Sequence, residues 1–218
     1  MIKAIIFDFD GLILDTETPW FYAYRALFEE RGATLPLVEW AKCIGTHDGE
    51  FNPMDYLEQQ IGKEVDRIQF KDEARLRYAQ LVQTMQIRPG VVPYLESAQK
   101  LGLRIGLASS SDRYWVESYL NKYGLFSYFE VIRTMDDVAK VKPDPELYLQ
   151  ALEHLGVRPN EAIVFEDSLN GLRAAKAAGT YCVIVPNEVT NDLDFVDHDL
   201  RLKSMEDMSL TDIIKRVA

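Results

Sequence analysis

The sequence predicts an α/β protein, a Rossmann-like parallel sheet core with an inserted α-helical cap domain. Three observations predict it. Beyond Pro89, short apolar runs alternate with amphipathic stretches, the pattern of parallel strands joined by right-handed crossovers with helices on both sheet faces. Those amphipathic stretches stop at Gly102, Gly124, Gly156 and Gly179, and glycine just past the last turn is the common helix ending. A further buried-type strand at residues 3–7 stands apart from this series, separated by a segment with helical spacing and no convincing strand.

Taken in order, Lys3-Ala4-Ile5-Ile6-Phe7 is a short β-branched apolar run, as in a strand covered on both faces. Residues 20–31 carry Phe21, Tyr24, Leu27 and Phe28 at helical spacing and end at Gly32. Residues 39–44 and 54–61 read as further short helices. Residues 68–85 read as a charged amphipathic helix with Phe70, Ala74, Leu81 and Met85 near one another. Arg88-Pro89-Gly90 closes the helical segment as a turn. Helices then follow at 93–101, 114–123, 145–155 and 169–178, and strands at 104–108, 129–133, 162–165 and 181–185. The acid-rich residues 187–199 read as a solvated loop, and Ser209-Leu210-Thr211-Asp212 as the start of a final helix. The expected domains are residues 1–16 with 86–218 as the core, and 17–85 as the cap.

Bulk properties narrow the function classes. The chain has 218 residues, enough for one large domain or a core with a modest insertion. Its net charge of −11 argues against nucleic acid or an anionic membrane surface, since both need a basic face. A phosphorylated substrate would need locally supplied positive charge, and a divalent cation is the simplest source. Cys43 and Cys182 lie far apart, so neither a disulfide framework nor a redox pair is indicated. No apolar run reaches membrane-spanning length, and Asp8 and Asp10 interrupt the opening one. Cytoplasmic residence and a monomer are the default expectations.

Chemistry concentrates where strands end. The first strand runs into Asp8-Phe9-Asp10-Gly11, and ligands of open α/β sheets sit at the carboxyl ends of strands. Asp10-Gly11 also suits a hairpin turn. Strand 104–108 runs into Ser109-Ser110-Ser111-Asp112. Ser111 or Asp112 fits a helix cap, whereas Ser109 comes too early to cap and suits a phosphate. In Val141-Lys142-Pro143-Asp144-Pro145, Pro143 biases Lys142 towards an extended backbone, Asp144 fits the N-cap and Pro145 the first helical position. Strand 162–165 ends in Glu166-Asp167-Ser168, more acids than capping requires. Brought together, Asp8, Asp10, Glu166 and Asp167 would repel one another, and a hard cation such as Mg²⁺, bound through oxygen, would relieve that. Lys142 and Mg²⁺ would then oppose the charge of a phosphoryl group.

These residues and their order resemble the haloacid dehalogenase superfamily, and within it the β-phosphoglucomutase-like phosphatases with a helical cap. Asp8-Phe9-Asp10-Gly11 with Asp15-Thr16 matches the first motif, Ser109 the second, Lys142-Pro143 the third and Glu166-Asp167 the fourth. The resemblance implies that Asp8 is a nucleophile forming an aspartyl-phosphate, and Asp10 the general acid-base. It implies Mg²⁺ held by the Asp8 side chain, the Asp10 carbonyl, Asp167 and Glu166. Ser109 and Lys142 would hold the phosphoryl oxygens, with Ser110 beside them, and Asp15-Thr16 would begin the cap hinge. A cap loop at residues 44–48, with Gly45, Thr46 and His47, would touch the substrate, while Trp20 would either pack at the core–cap seam or wall the leaving-group site. The mutases of this family carry a cap-loop arginine and a histidine after the Asp-Thr pair. This chain has no arginine in that loop, and Trp20 stands at the other position. The expectation is a Mg²⁺-dependent phosphatase acting on a small phosphorylated metabolite, possibly a sugar phosphate. Its alternatives are a phosphosugar mutase and a phosphate-ligand-binding protein without activity.

Overall fold

Six parallel strands form one sheet in a computed structural model that describes residues 1–41 and 51–217. They are β1 (Ala4–Phe7), β2 (Arg104–Ala108), β3 (Val131–Arg133), β4 (Ala162–Glu166), β5 (Tyr181–Ile184) and β6 (Leu200–Arg201), in the order β3-β2-β1-β4-β5-β6. The order in which the chain adds strands reverses between β1 and β4, the place where such sheets open a crevice for ligands. The register sets that crevice: Phe7 pairs with Leu107 on one side and Phe165 on the other, so Asp8 lies level with Ala108 and Glu166.

Side chains alternate across the sheet, and each face is covered. Ile5, Phe7, Ile105, Leu107, Ile163, Phe165 and Val183 pack with α5 (Val91–Lys100), α6 (Arg113–Lys122) and α9 (Leu210–Val217). Ala4, Ile6, Ala108, Val164, Cys182 and Ile184 face α7 (Glu146–Leu155) and α8 (Leu169–Ala177). Burial on both faces explains why the strands read as continuous apolar runs rather than alternating ones.

Between β1 and α5, every element among the described residues is helical. These are α1 (Glu17–Glu30), α2 (Leu37–Trp40), α3 (Pro53–Ile61), α4 (Arg67–Leu81) and a 3-10 turn at Val82–Thr84. They share a separate apolar cluster built on Phe21, Leu27, Phe28, Leu57, Phe70 and Ala74. The chain leaves and returns side by side, because Leu14 bridges Ile87 antiparallel and Arg88 N–H donates to the Ile13 carbonyl at 2.9 Å.

Several expectations need correction. On α4 the buried stripe is Phe70, Ala74 and Tyr78, at spacing i, i+4, i+8, while Leu81 is exposed. The helix stops at Leu81, four residues before the expected end. Asp144 still accepts the Glu146 N–H at 3.1 Å, although α7 begins one residue later than expected. Residues 187–199 are not simply a solvated loop: Asn187, Val189, Thr190 and Phe195 are buried where the chain crosses the carboxyl end of the sheet before entering β6. The cap-loop residues Gly45, Thr46 and His47 lie outside the described residues.

Phe165 is fully buried, stacked on Phe7 at 5.2 Å and edge-on to Tyr94 at 5.4 Å. Phe165→Ala should lower stability by about 3–5 kcal/mol, read as a lower urea midpoint with an unchanged slope.

Candidate active site

Strand ends supply the charged groups of the site, and several helices support and wall it. Backbone hydrogen bonding continues one residue past β1, where Asp8 N–H donates to the Phe165 carbonyl at 3.0 Å. The Asp8 side chain is thereby fixed at the rim, between the loops that follow β2 and β4. Lys142 is joined to Pro143 by a cis peptide bond and reaches in from the segment before α7. Its buried ammonium donates to Asp8 Oδ1, to the Ala108 carbonyl at 2.8 Å and to Glu166 Oε1 at 2.8 Å. All three of its N–H donors thus have partners.

Glu166 is held from every side. Oε1 also accepts the Tyr148 hydroxyl at 2.6 Å, while Oε2 accepts the Asp167 and Ser168 N–H groups and the Ser168 hydroxyl at 3.1–3.2 Å. Five donors use the roughly four lone-pair sites of a carboxylate. Gly171, in the first turn of α8, makes room for this arrangement, since a Cβ there would collide with the Glu166 carboxylate. Asp167 differs. Its Oδ2 accepts the Asn187 amide at 2.8 Å, and its Oδ1 is buried with no partner. Carboxylate oxygens of Asp8, Glu166 and Asp167 lie within 4.8 Å of one another. An orphaned buried oxygen beside two further carboxylates is a donor set that fits a hard divalent cation.

The electrostatics agree. Burial, then the charge of Glu166, pushes the Asp8 carboxyl well up despite Lys142; burial, then the charges of Asp8 and Glu166, does the same to Asp167. Burial acts to lower the Lys142 ammonium, but Asp8 and Glu166 outweigh it and hold the group above its ordinary value.

Asp10 belongs to a different network, and its side chain does not join the acidic triplet. Oδ1 accepts the Thr16 hydroxyl at 2.9 Å and the Trp115 indole N–H at 3.0 Å. Oδ2 accepts the Ser111 hydroxyl at 2.6 Å and that of Ser109 at 3.3 Å. Ser109 Oγ in turn accepts the Ser111 N–H at 3.0 Å. Asp112 caps α6 by accepting the Trp115 N–H at 2.7 Å, which turns the first helical turn towards Asp10.

Asp8, Asp10, Ser109, Ser111, Lys142 and Asp167 face a cavity of about 500 Å³, while Glu166, Tyr148 and Asn187 support them from behind. Asp8, Asp10, Ser109, Ser110, Lys142 and Asp167 line its floor, and Glu17, Trp20, Tyr78 and Trp115 its outer wall. Trp20 walls the cavity and is stacked on Tyr78 of α4 at 4.0 Å, packing against both the sheet's apolar cluster and that of α1–α4. Four contributors escaped sequence reasoning: Tyr148, Asn187, Arg88 and Trp115. Asn187 follows the end of β5, so the strand-end rule applied to the other loops would have found it. Arg88 donates from inside the protein to the carbonyls of Gly11, Val185 and Pro186, tying the returning linker to two rim loops. Nothing local in sequence marks Tyr148, whose partner lies on another element, or Trp115, which is spaced like an ordinary helix residue.

Comparison with known proteins adds the context. Residues 5–185 match the family model for haloacid dehalogenase-like hydrolases. YhcW of Bacillus subtilis is 56% identical over 210 residues, covering 96% of this chain and 95% of that protein. The phosphorylated carbohydrates phosphatase of Thermotoga maritima is 34% identical over 180 residues, 82% of each chain. Among solved structures, CbbY of Rhodobacter sphaeroides in complex with phosphate superposes with a TM-score of 0.71 at 28% identity, covering 97% of this chain and 98% of that one.

Glu17 yields a prediction. Half-buried, it is pushed up to about 7 by burial and then by the charges of Asp10 and Asp15. At pH 4.5 and below, wild type and Glu17→Gln should be equally stable. As pH rises through 7 the native state must ionise a group that the unfolded chain ionises more readily, so wild type falls behind. Discounted for partial exposure, the gap at pH 8 should be about 1–2 kcal/mol in favour of Glu17→Gln, measured by denaturation in chelator.

Proposed function

The chain belongs to the haloacid dehalogenase-like hydrolases and is a phosphatase of that family, and on that premise we propose that it hydrolyses sugar-type phosphate monoesters through an aspartyl-phosphate on Asp8. The single observation that carries this reading is the Lys142 ammonium bridging Asp8 and Glu166 at the rim, beside the unpartnered Oδ1 of Asp167.

Asp8 supplies the nucleophile. Its oxygen attacks phosphorus, and the bond from phosphorus to the leaving alcohol breaks. Asp10 gives its proton to that alcohol, then as a carboxylate takes one from the water that cleaves the phosphate from Asp8. Lys142 and Ser109 face the phosphoryl oxygens, and the Lys142 charge opposes the burial of Asp8, favouring its ionised form, and aims it. Asp8 and Asp167, with the Asp10 main-chain carbonyl, would hold Mg²⁺, and Glu166 completes the acidic triplet while anchoring Lys142. When bound, Mg²⁺ offsets the negative charge of the phosphoryl group and its carboxylate neighbours.

Residues 17–85 serve as a cap over the leaving group in this reading, supported by their separate apolar cluster and paired linkers. The aromatic wall of Trp20, Tyr78 and Trp115 offers flat apolar surface to a carbohydrate, and the name of the Thermotoga relative points to the same substrate class. Hydrolysis is favoured over mutase chemistry because Lys142 is the sole cation among the described lining residues. A second phosphate on the substrate would meet Glu17, Asp10 and Asp112 instead. The reading keeps the cytoplasmic location and monomeric state expected from the sequence; among the described residues, no helix is long and apolar enough to cross a membrane.

With Mg²⁺, 4-nitrophenyl phosphate and sugar monophosphates should release inorganic phosphate, and chelator should stop it. Asp8→Asn should lower kcat by about 10⁴-fold or more while the protein stays folded by circular dichroism. Isomerisation of a sugar phosphate without phosphate release would overturn the reading. Independently of turnover, Mg²⁺ at one hundred times its Kd should stabilise the protein by about 2.7 kcal/mol in thermal melts. Asp167→Asn should remove most of that shift.

A further inference from the structure

The Asp10 carboxylate is gripped unequally. Its Oδ2 meets two hydroxyls, Ser111 and Ser109, and a hydroxyl can turn to accept as readily as it donates. Its Oδ1 meets the Thr16 hydroxyl and the Trp115 indole at 3.0 Å, and an indole N–H can only donate. A proton on Oδ1 would have to take the lone pair turned towards Thr16 and would weaken that oxygen as acceptor for the indole, whereas a proton on Oδ2 leaves the indole hydrogen bond intact. The indole itself is fixed: Trp115 is half-buried in the first turn of α6, edge-on to Tyr119 at 4.6 Å and beside Tyr78 at 6.3 Å. Neither its ring nor its N–H can swing aside without disturbing both contacts.

We propose that Trp115 is a positioning residue whose indole N–H occupies Oδ1 of Asp10 and so confines the acid-base proton to Oδ2, on the side of Ser109. This rests on the reading of Asp10 as the general acid. In the step concerned, Asp8 attacks phosphorus and the bond to the leaving oxygen breaks, its electron pair staying on that oxygen. The proton on Asp10 Oδ2 then moves to the oxygen and leaves Asp10 ionised. Without the indole, the proton is shared between both oxygens and the carboxylate gains freedom to rotate, so fewer complexes present the acid to the leaving group.

A positioned acid matters most for a leaving group that cannot depart as an anion. Nitrophenolate departs without a proton, whereas benzyl alkoxide does not. Trp115→Phe keeps an aromatic ring near Tyr119 and Tyr78 while deleting the donor along with the second ring of the indole. It should lower kcat/KM for benzyl phosphate by about 10- to 100-fold more than it lowers kcat/KM for 4-nitrophenyl phosphate, whose aromatic leaving group meets the same altered wall. kcat/KM reports the phosphoryl transfer to Asp8, so the later hydrolysis common to both substrates does not mask the difference. Trp115→Leu, which also lacks a donor, carries the same test should the Phe variant be unstable. Equal losses on the two substrates, or none, would overturn the proposal. Asp10→Asn assayed alongside separates the two readings. If that variant discriminates between the substrates and Trp115→Phe does not, the role of Trp115 fails alone. If neither discriminates, the acid role of Asp10 fails with it.

Discussion

Three buried carboxylates meet one buried ammonium at the rim between β1 and β4, and the rest of the site is arranged around that imbalance. One lysine cannot neutralise Asp8, Glu166 and Asp167 together. Burial therefore drives Asp8 and Asp167 towards the protonated form, and an oxygen of Asp167 is left without a partner. The surrounding polar groups deal with part of the excess. Tyr148 and the start of α8 satisfy Glu166, which frees it to anchor Lys142, while Asn187 takes one oxygen of Asp167 and orients the other. What remains unmet is the demand for positive charge that a hard cation and a phosphoryl-transfer centre would share.

Around this charged centre the fold places a second network with a different purpose. Asp10 is one residue beyond Phe9 on the same loop, yet its carboxylate is bound by Thr16, Trp115, Ser109 and Ser111 rather than by the cation-seeking triplet. Two carboxylates two residues apart thus occupy environments that differ in both hydrogen bonding and charge, as the proposed nucleophile and acid-base roles would require. The helical segment joins both networks. Thr16 leads into α1, Tyr78 of α4 lies against Trp115, and Val189, two residues beyond Asn187, packs into the apolar cluster of α1–α4. Tyr22 of α1 also donates to Glu188 in the same loop. A shift of these helices would reach Asp10 through Thr16 and Trp115, and Asp167 through the loop that carries Asn187.

Much of this was legible in the residues. The β-branched runs and their glycine-ended helices specify a parallel sheet because burial on both faces leaves a one-dimensional signature. Asp8, Asp10, Ser109, Lys142, Glu166 and Asp167 stood out because each interrupts or follows an apolar run where a loop alone would not demand its chemistry. Tyr148 and Trp115 were invisible because they lie on helices at positions where an aromatic residue is ordinary. Asn187 was hidden in an acid-rich stretch whose composition suggested solvent, although the chain there crosses the sheet end and is buried.

The linear order of residues determined five of the six strands, all but β6, with their crossovers and the set of acids and bases at strand ends, since these follow from local periodicity and from where each apolar run stops. Only tertiary structure decided which oxygen of each acid is engaged. Pairing of β1 with both β2 and β4 brings Asp8 level with Glu166, the turn of α6 aims Trp115 at Asp10, and the loop after β5 carries Asn187 to Asp167. Hydrogen bonds act over about 3 Å, a range at which partners separated by 105 or 20 residues are neighbours only because the sheet and its loops bring them together.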